Sequence, residues 1–438
     1  MKILIDKNIP YTEHFFQDHL NDIEYFTDQD FDISKVAMDS IVITRSTFKT
    51  HGKKISNAVK FLCSASTGED HYDKKALDDM NIPYAFSTGA NAVAVAEYTF
   101  STLALMLKEY KFEKKLHAAA IIGCGNIGSQ VIKTLDAFDF EVYGYDPLNV
   151  ECKDSNTLTH YSDFVEYSGS GVGDDIGLYE ALAGIDKNSQ PRENISPIRF
   201  ISLHVPLHDG IDIENGASLG GKPLSEKQIL RFFIQPKLNE IGNLEFSKQF
   251  PTKNLINKEI LEQLPDGAII LNTSRGGVVS ERDFLELDSD RHYIRLISDV
   301  YENEPNVNKD FLEKNLFGTP HIAGHSQYAR YQMTKMAYEN VVNFLGVENI
   351  DKENILENKI IDFDKRIFDQ DMKEFGLPVS LMLDTYNPKL DHFKNINFKN
   401  IRDKYNNRIG YSQVIIKGCN NDADRIALKM LGFTVEDS

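Results

Sequence analysis

The stretch that most limits what this chain can fold into runs from Ala118 to Asp146, AAAIIGCGNIGSQVIKTLDAFDFEVYGYD. It reads as strand, glycine turn, helix and strand. Small and β-branched residues lead into Gly123, Gly125 and Gly128 at G-x-G-x-x-G spacing. Val131, Ile132 and Leu135 then recur at helical intervals before an alternating run from Glu141 to Tyr145. The three glycines serve separate ends, with a tight turn at Gly123, backbone approach to a pyrophosphate at Gly125 and close helix-on-strand packing at Gly128. The helix N-terminus then faces the phosphates. Asp146 closes the second strand, where an acid accepts both ribose hydroxyls of the adenosine half and repels a 2′-phosphate, so NAD is expected over NADP. Cys124, between two glycines, reads as filler.

A chain of 438 residues makes two or three domains with ample core. Its 48 Lys plus Arg against 66 Asp plus Glu, a formal net charge of −18, would repel a phosphate backbone, so nucleic acid is not the expected partner. Cys63, Cys124, Cys152 and Cys419 show no paired spacing, as in a reduced, cytoplasmic protein. MKILID reads as a strand and not as a signal peptide, and no apolar run approaches a membrane span, so no membrane partner is expected.

From Met1 to about Asn91, short apolar runs alternate with helical patterns: KILI, Tyr11 to Leu20, SIVITRS, KFLCSAS and IPYAFS. Nearly continuous apolar runs separated by helices predict a small α/β domain with a parallel sheet. Two of its strands end in polar clusters, Thr44-Arg45-Ser46-Thr47 and Ser64-Ala65-Ser66-Thr67-Gly68, at the edge where open α/β sheets bind ligands. The same residues would also serve as ordinary helix caps. Asn91 to Tyr110 is apolar almost all round and predicts a buried helix leading into the nucleotide domain, with Glu97 a hydrogen-bond acceptor inside it.

After Asp146 the pattern is irregular until RFISLHVPL, and loose again from Asp209 to about Phe250. Both regions read as insertions, the second compatible with a helix over Lys227 to Leu238. GASLGGK lacks the spacing of a phosphate loop. Order resumes with a helix over Asn257 to Leu264, strands AIILN and YIRLISDV, and a helix over Ser326 to Gly346. From Val347 onward the chain is α+β, a third domain.

Three polar clusters each follow a nucleotide-domain strand: Arg275 after AIILNTS, Asp299 to Glu304 after YIRLIS, and His321 in TPHIAGH. Hydride transfer from a hydroxy acid needs a cation for the carboxylate, a general acid/base for the hydroxyl proton, and a carboxylate to tune that base. Arginine supplies a bidentate fork and a permanent charge. Histidine titrates near neutrality, and a neighbouring glutamate, here Glu304, fixes its tautomer.

With NTSRGG (272–277), DVYENEP (299–305), PHIAG (320–324) and GCGNIG, the chain resembles the D-isomer-specific 2-hydroxyacid dehydrogenase family. The resemblance implies an α/β fold in which a Rossmann-type nucleotide-binding domain (93–325, insertions at about 154–250) is inserted into a flavodoxin-like substrate domain (1–92 and 326–346). MKILIDKNIPY, ITRSTFK, ASTGEDHYD, GANAVAVAEY and NFKNIRDKYNNR narrow it to a member with an extra C-terminal α+β dimerisation domain, here 347–438. It implies an NAD-dependent, cytoplasmic homodimer acting on a small phosphorylated 2-hydroxy acid. Arg275, Glu304 and His321 would be catalytic, with His321 the proton donor. Gly123, Gly125, Asn126, Ile127, Gly128, Asp146, Val205, Thr273, Asp299 and Gly324 would bind NAD. Arg45, Ser46, Ser66 and His325 would bind substrate, His325 standing where the family usually has tyrosine; no metal is implied. Relatives acting on 3-phosphoglycerate or a plain 2-hydroxy acid, and an NAD-sensing module without turnover, are the alternatives.

Overall fold

The computed structural model describes residues 1–17, 22–28, 30–110, 112, 118–145, 198–205, 218–219, 222–223, 252–288, 293–393, 397–405 and 408–436. Asp146, Cys152 and the helix expected over Lys227 to Leu238 lie outside them, as does most of the span expected to hold insertions. The chain divides into two compact units.

The first comprises Met1–Ala94, Gly324–Lys359 and Asn406–Gln413. Its described strands are β1 (Lys2–Asp6), β2 (Ile23–Phe26), β3 (Ser40–Thr44), β4 (Val59–Ser64) and β5 (Tyr84–Phe86). They pair in parallel in the order β2-β1-β3-β4-β5, the flavodoxin-like order expected. Side chains alternate across a strand. Ile3, Ile5, Ile41, Ile43, Phe61 and Cys63 therefore pack on one face with Phe15, Tyr338 and Val341, and Leu4, Val42 and Leu62 on the other with Phe48 and Leu77. Both faces are covered, which is why these strands read as unbroken apolar runs. The helix Gln327–Leu345 starts where Ser326 accepts the N–H of Ala329 and stops at Gly346, whose φ of 65° suits a residue without a Cβ.

The second unit comprises Val95–Ala323, Ile360–Tyr405 and Val414–Ser438. Among its described residues, β6 (Ala118–Ile122), β7 (Val142–Tyr145), β8 (Ile198–Leu203), β11 (Ile269–Asn272), β12 (Arg295–Ser298) and β13 (Phe317–Gly318) form a sheet ordered β13-β12-β11-β8-β6-β7, paired in parallel. The GASLGGK segment gives a short antiparallel pair, β9 (Ser218–Leu219) with β10 (Lys222–Pro223). Ala118, Ala120, Ile122, Ile201, Leu203, Ile270 and Leu296 meet Leu261, Phe284 and Phe311 in one core cluster. The expected buried helix spans Ala92–Glu109, with Tyr98, Phe100 and Leu103 wholly enclosed.

The C-terminal residues form a further small sheet, ordered β14 (Lys359–Asp362), β15 (Val414–Lys417), β16 (Thr434–Val435). Phe393 and Phe398 leave that neighbourhood to enter the same core cluster as Tyr301. Among the described residues, no helix is long and apolar enough to cross a membrane.

Candidate active site

Strand β6 is flanked by β7 and β8, so connections leave it on both sides and a crevice opens at its carboxyl end. The chain turns there at Gly123, φ +90°, where a Cβ would lie 2.5 Å from the carbonyl oxygen of His204. Gly128 is as constrained: a Cβ would lie 1.9 Å from the carbonyl oxygen of Gly123, so only glycine lets the helix Gly128–Ala137 sit so close to β6. Gly125 faces open space, with Asn126 exposed beside it. Ile127 starts the helix with no side-chain cap on its first N–H groups. Those N–H groups and the clearance at Gly125 fit the pyrophosphate of a dinucleotide. Cys124 is buried.

Opposite this turn stand Val205, Thr273 and His204. Val205 would meet a Cβ on Gly123 at 2.8 Å, and the Thr273 hydroxyl lies 3.5 Å from both the Leu203 carbonyl and His204 Nδ1. Burial pulls His204 down to about 3. It stays neutral next to the cradle, with Nε2 2.9 Å from the Ser202 hydroxyl.

Arg275 follows β11 in a turn folded by Asn272. The Asn272 side-chain oxygen accepts from Ser274 N–H at 3.1 Å and from the Ser274 hydroxyl at 2.8 Å, and its amide donates to the Arg275 carbonyl at 3.1 Å. That local bonding is what an Asn at a strand end is suited to. The Arg275 side chain is partly buried and donates to the Ser274 carbonyl at 2.9 Å.

His321 Nδ1 lies 2.7 Å from Glu304 Oε2. The other Glu304 oxygen accepts the Tyr301 N–H at 3.0 Å. Burial works against a charge on Glu304, but His321, by charge and by hydrogen bond, and Arg402 outweigh it and hold the carboxyl below its usual range. His321 has φ 58°, a left-handed backbone that a side chain adopts only when its surroundings over-determine it. The surroundings are the Asp299 carboxylate, which accepts the Thr319 hydroxyl at 2.6 Å, Ile322 N–H at 2.7 Å and Ala323 N–H at 2.9 Å. Burial raises the Asp299 carboxyl against the pull of His321 and these donors. Asp299, expected as a cofactor contact, also holds the His321 turn. The sequence reading missed His204, Asn272, Thr319 and Gly276, although an Asn ending a strand before T-S-R-G was a visible turn signal.

In the first unit, Arg45 Nε donates to Asp6 Oδ2 at 2.7 Å, with Asp28 3.6 Å from its guanidinium. Asp6 and Thr44 end β1 and β3, adjacent strands at the point where that sheet's order reverses. Ser46 is partly exposed after β3. The Ser66 hydroxyl is 2.6 Å from that of Ser64, which is 2.8 Å from His71 Nε2. Gly324 is packed where a Cβ would lie 2.4 Å from Asn91 Nδ2, and His325 beside it is partly buried.

Residues 105–168 and 246–323 match the family model described as the D-isomer specific 2-hydroxyacid dehydrogenase, NAD binding domain. The stretches that carry the glycine turn and the Arg275, Glu304 and His321 segments are therefore similar to that NAD binding domain. The particular likeness is to erythronate-4-phosphate dehydrogenases. The chain is 28% identical to the enzyme of Wigglesworthia glossinidia brevipalpis over 448 residues, covering 99% of this chain and 98% of that one. It is 27% identical to the enzyme of Psychromonas ingrahamii over 350 residues, covering 80% and 73%. Among solved structures, Staphylococcus aureus NAD-dependent formate dehydrogenase (TM-score 0.50, 18% identity, 79% of this chain, 96% of that one) shares the fold. So does holo D-mandelate dehydrogenase of Rhodotorula graminis (0.51, 15%, 81% and 98%).

Proposed function

We propose that the protein oxidises the 2-hydroxyl of 4-phosphoerythronate to 3-hydroxy-2-oxo-4-phosphobutanoate with NAD, a step of pyridoxal 5′-phosphate biosynthesis. The observation that carries this reading is the contact of 2.7 Å between His321 Nδ1 and Glu304, joined to likeness along nearly the whole chain to enzymes named for that substrate. With Nδ1 donating to Glu304, Nε2 is left to accept the hydroxyl proton, and the imidazolium that forms is stabilised by the carboxylate. Arg275 holds the substrate carboxylate through its planar fork. NAD, when bound, supplies the hydride acceptor. Gly123, Gly125, Asn126, Ile127, Gly128, Val205, Thr273, Asp299 and Gly324, with Asp146, contact that cofactor in this reading. Arg45, Ser46, Ser66 and His325 contact the substrate.

The same reading divides the chain into a substrate domain (1–92 and 326–346), a nucleotide domain (93–325) and a dimerisation domain (347–438), in a cytoplasmic homodimer. The test is a turnover screen with NAD across phosphorylated and plain 2-hydroxy acids, following NADH. Preference for 4-phosphoerythronate supports the proposal. Preference for 3-phosphoglycerate or a plain hydroxy acid moves the chain to another substrate, and no turnover on any of them removes the enzymatic reading.

A further inference from the structure

Strands β3 and β4 end level with one another. Thr44 pairs with Ser64, and the pairing runs one residue further, Ala65 N–H donating to the Thr44 carbonyl at 2.9 Å. Ser46 and Ser66 therefore each stand two residues past a matched strand end, and both are partly exposed. The backbone of Ser66 is fixed from the other side. Ser87 N–H, just past β5, reaches the carbonyl of Ser64 at 3.2 Å and that of Ser66 at 3.1 Å.

Behind Ser66 runs a chain of polar side chains leading inward. The Ser66 hydroxyl lies 2.6 Å from that of Ser64, and the Ser64 hydroxyl lies 2.8 Å from His71 Nε2. Ser64 and His71 are both buried. The imidazole is held by its neighbours, edge-on to Phe86 at 5.7 Å and tilted on Tyr72 at 4.5 Å. Tyr72 is in turn bonded to the Thr44 hydroxyl at 2.6 Å, and the His71 carbonyl accepts Thr50 N–H at 3.0 Å.

A serine hydroxyl has a single hydrogen to give. When Ser66 gives its hydrogen inward to Ser64, it turns only lone pairs outward and repels an anion. When His71 Nε2 is the donor, Ser64 accepts from it and donates to Ser66, so the Ser66 hydrogen is directed outward. Each bond in such a chain polarises the next. We propose that His71 is a positioning residue for Ser66, its Nε2–H setting the direction of the Ser64 and Ser66 hydroxyls so that Ser66 donates to an oxygen of the substrate phosphate. This rests on the dehydrogenase reading above, in which Arg275 takes the carboxylate and the phosphate is the anion left for Ser66.

The full-length chain is compared with His71→Leu, His71→Gln, Ser64→Ala and the double variant His71→Leu/Ser64→Ala, each assayed with 4-phosphoerythronate and with erythronate. In His71→Leu and Ser64→Ala, KM for 4-phosphoerythronate is expected to rise roughly tenfold, with kcat held and KM for erythronate unmoved. His71→Gln, whose amide nitrogen can take the place of Nε2, should recover most of the loss. The double variant should be no worse than the single ones, as for two members of one chain. Equal rises on both substrates, no rise on either, additive losses or no recovery by glutamine would reduce His71 to packing. Histidine nitrogen NMR of the native chain, with the His71 signals identified by their loss in His71→Gln, is a readout that needs no turnover. Nε2 is expected to carry a proton, and an unprotonated Nε2 overturns the proposal. If the native chain turns over no hydroxy acid, the dehydrogenase reading fails, and the NMR measurement still decides the direction of the relay.

Discussion

Gly276 and Tyr301 meet backbone to backbone: a Cβ on Gly276 would lie 1.9 Å from the Tyr301 carbonyl oxygen and 2.6 Å from the Glu302 nitrogen. Two loops, one bearing Arg275 and the other Glu304, are held in register by the absence of one methyl group. Backbone cannot swing aside as a side chain can, so Gly276→Ala must separate the loops.

Gly276→Ala is therefore expected to lower kcat/KM by at least roughly tenfold, because displacements of about 1 Å in a reacting constellation are costly, and to lower stability by roughly 1–3 kcal/mol, as overpacking does. Gly125→Ala, with nothing within 4 Å of the added carbon, should leave the melting temperature unchanged and weaken NAD binding. Equal melting temperatures for Gly276→Ala and the native chain would show that the loops tolerate separation.

His321→Ala should reduce kcat by roughly 10²–10⁴-fold, the range for a lost general acid/base, with NAD binding retained by calorimetry. Arg275→Lys should be no better than Arg275→Ala, since a point charge does not reproduce a bidentate fork. Near-native turnover of His321→Ala would transfer the proton to another group, with His325 the first to examine.

Glu281 and Glu302 exchange bonds: each carboxylate accepts the other's backbone N–H, at 2.8 Å and 3.0 Å. Burial pushes Glu281 up to about 7; the bond from Glu302 N–H opposes this and the charges of Glu302 and Glu304 add to it. Its folded value is raised, so between the ordinary carboxylate range and pH 7 the folded state binds more protons than the unfolded one. This contribution to stability is full at acid pH and is lost as pH rises towards 7. Glu281→Gln, neutral throughout, should gain melting temperature relative to the native chain at pH 8 and lose that gain by pH 5. A difference that stays constant with pH would mean that Glu281 does not titrate in this window.

Ser46→Ala is expected to raise KM for 4-phosphoerythronate by roughly 10- to 100-fold, the effect of one charge-assisted hydrogen bond of about 1.5–3 kcal/mol, and to spare activity on an unphosphorylated analogue. Arg45→Ala should also raise that KM, but at a cost in stability, because it removes the guanidinium bonded to the fully enclosed Asp6 side chain. Equal losses on both substrates for Ser46→Ala would assign it to the fold and not to the phosphate.

The glycine turn, the parallel sheets and the approach of Glu304 to His321 were legible because each is written in local sequence: spacing around Gly123, apolar runs, polar residues just past strand ends. Helix limits at Ser326 and Gly346 were legible for the same reason, as capping chemistry is local. Asp299 was expected as a cofactor contact, and its carboxylate has a second role the sequence did not show, spanning the turn from Thr319 to Ala323. That role depends on two strand ends meeting, and no spacing announces it. The packing of Phe393 and Phe398 against Tyr301 is further removed still, a long-range event that periodicity within a single helix does not encode.

Strand β13 is the last of its sheet and only two residues long. Its open side is not bare: Gly318 N–H donates to His392 Nδ1 at 3.0 Å and its carbonyl accepts Phe393 N–H at 3.2 Å. An unpaired strand edge is a template on which a second chain can align, and here that template is used up by the protein's own later residues. A copy cut back to end before His392 would uncover both this edge and the aromatic ring of Tyr301. His392 and Phe393 thus occupy the Gly318 hydrogen-bonding groups that a second strand would otherwise use.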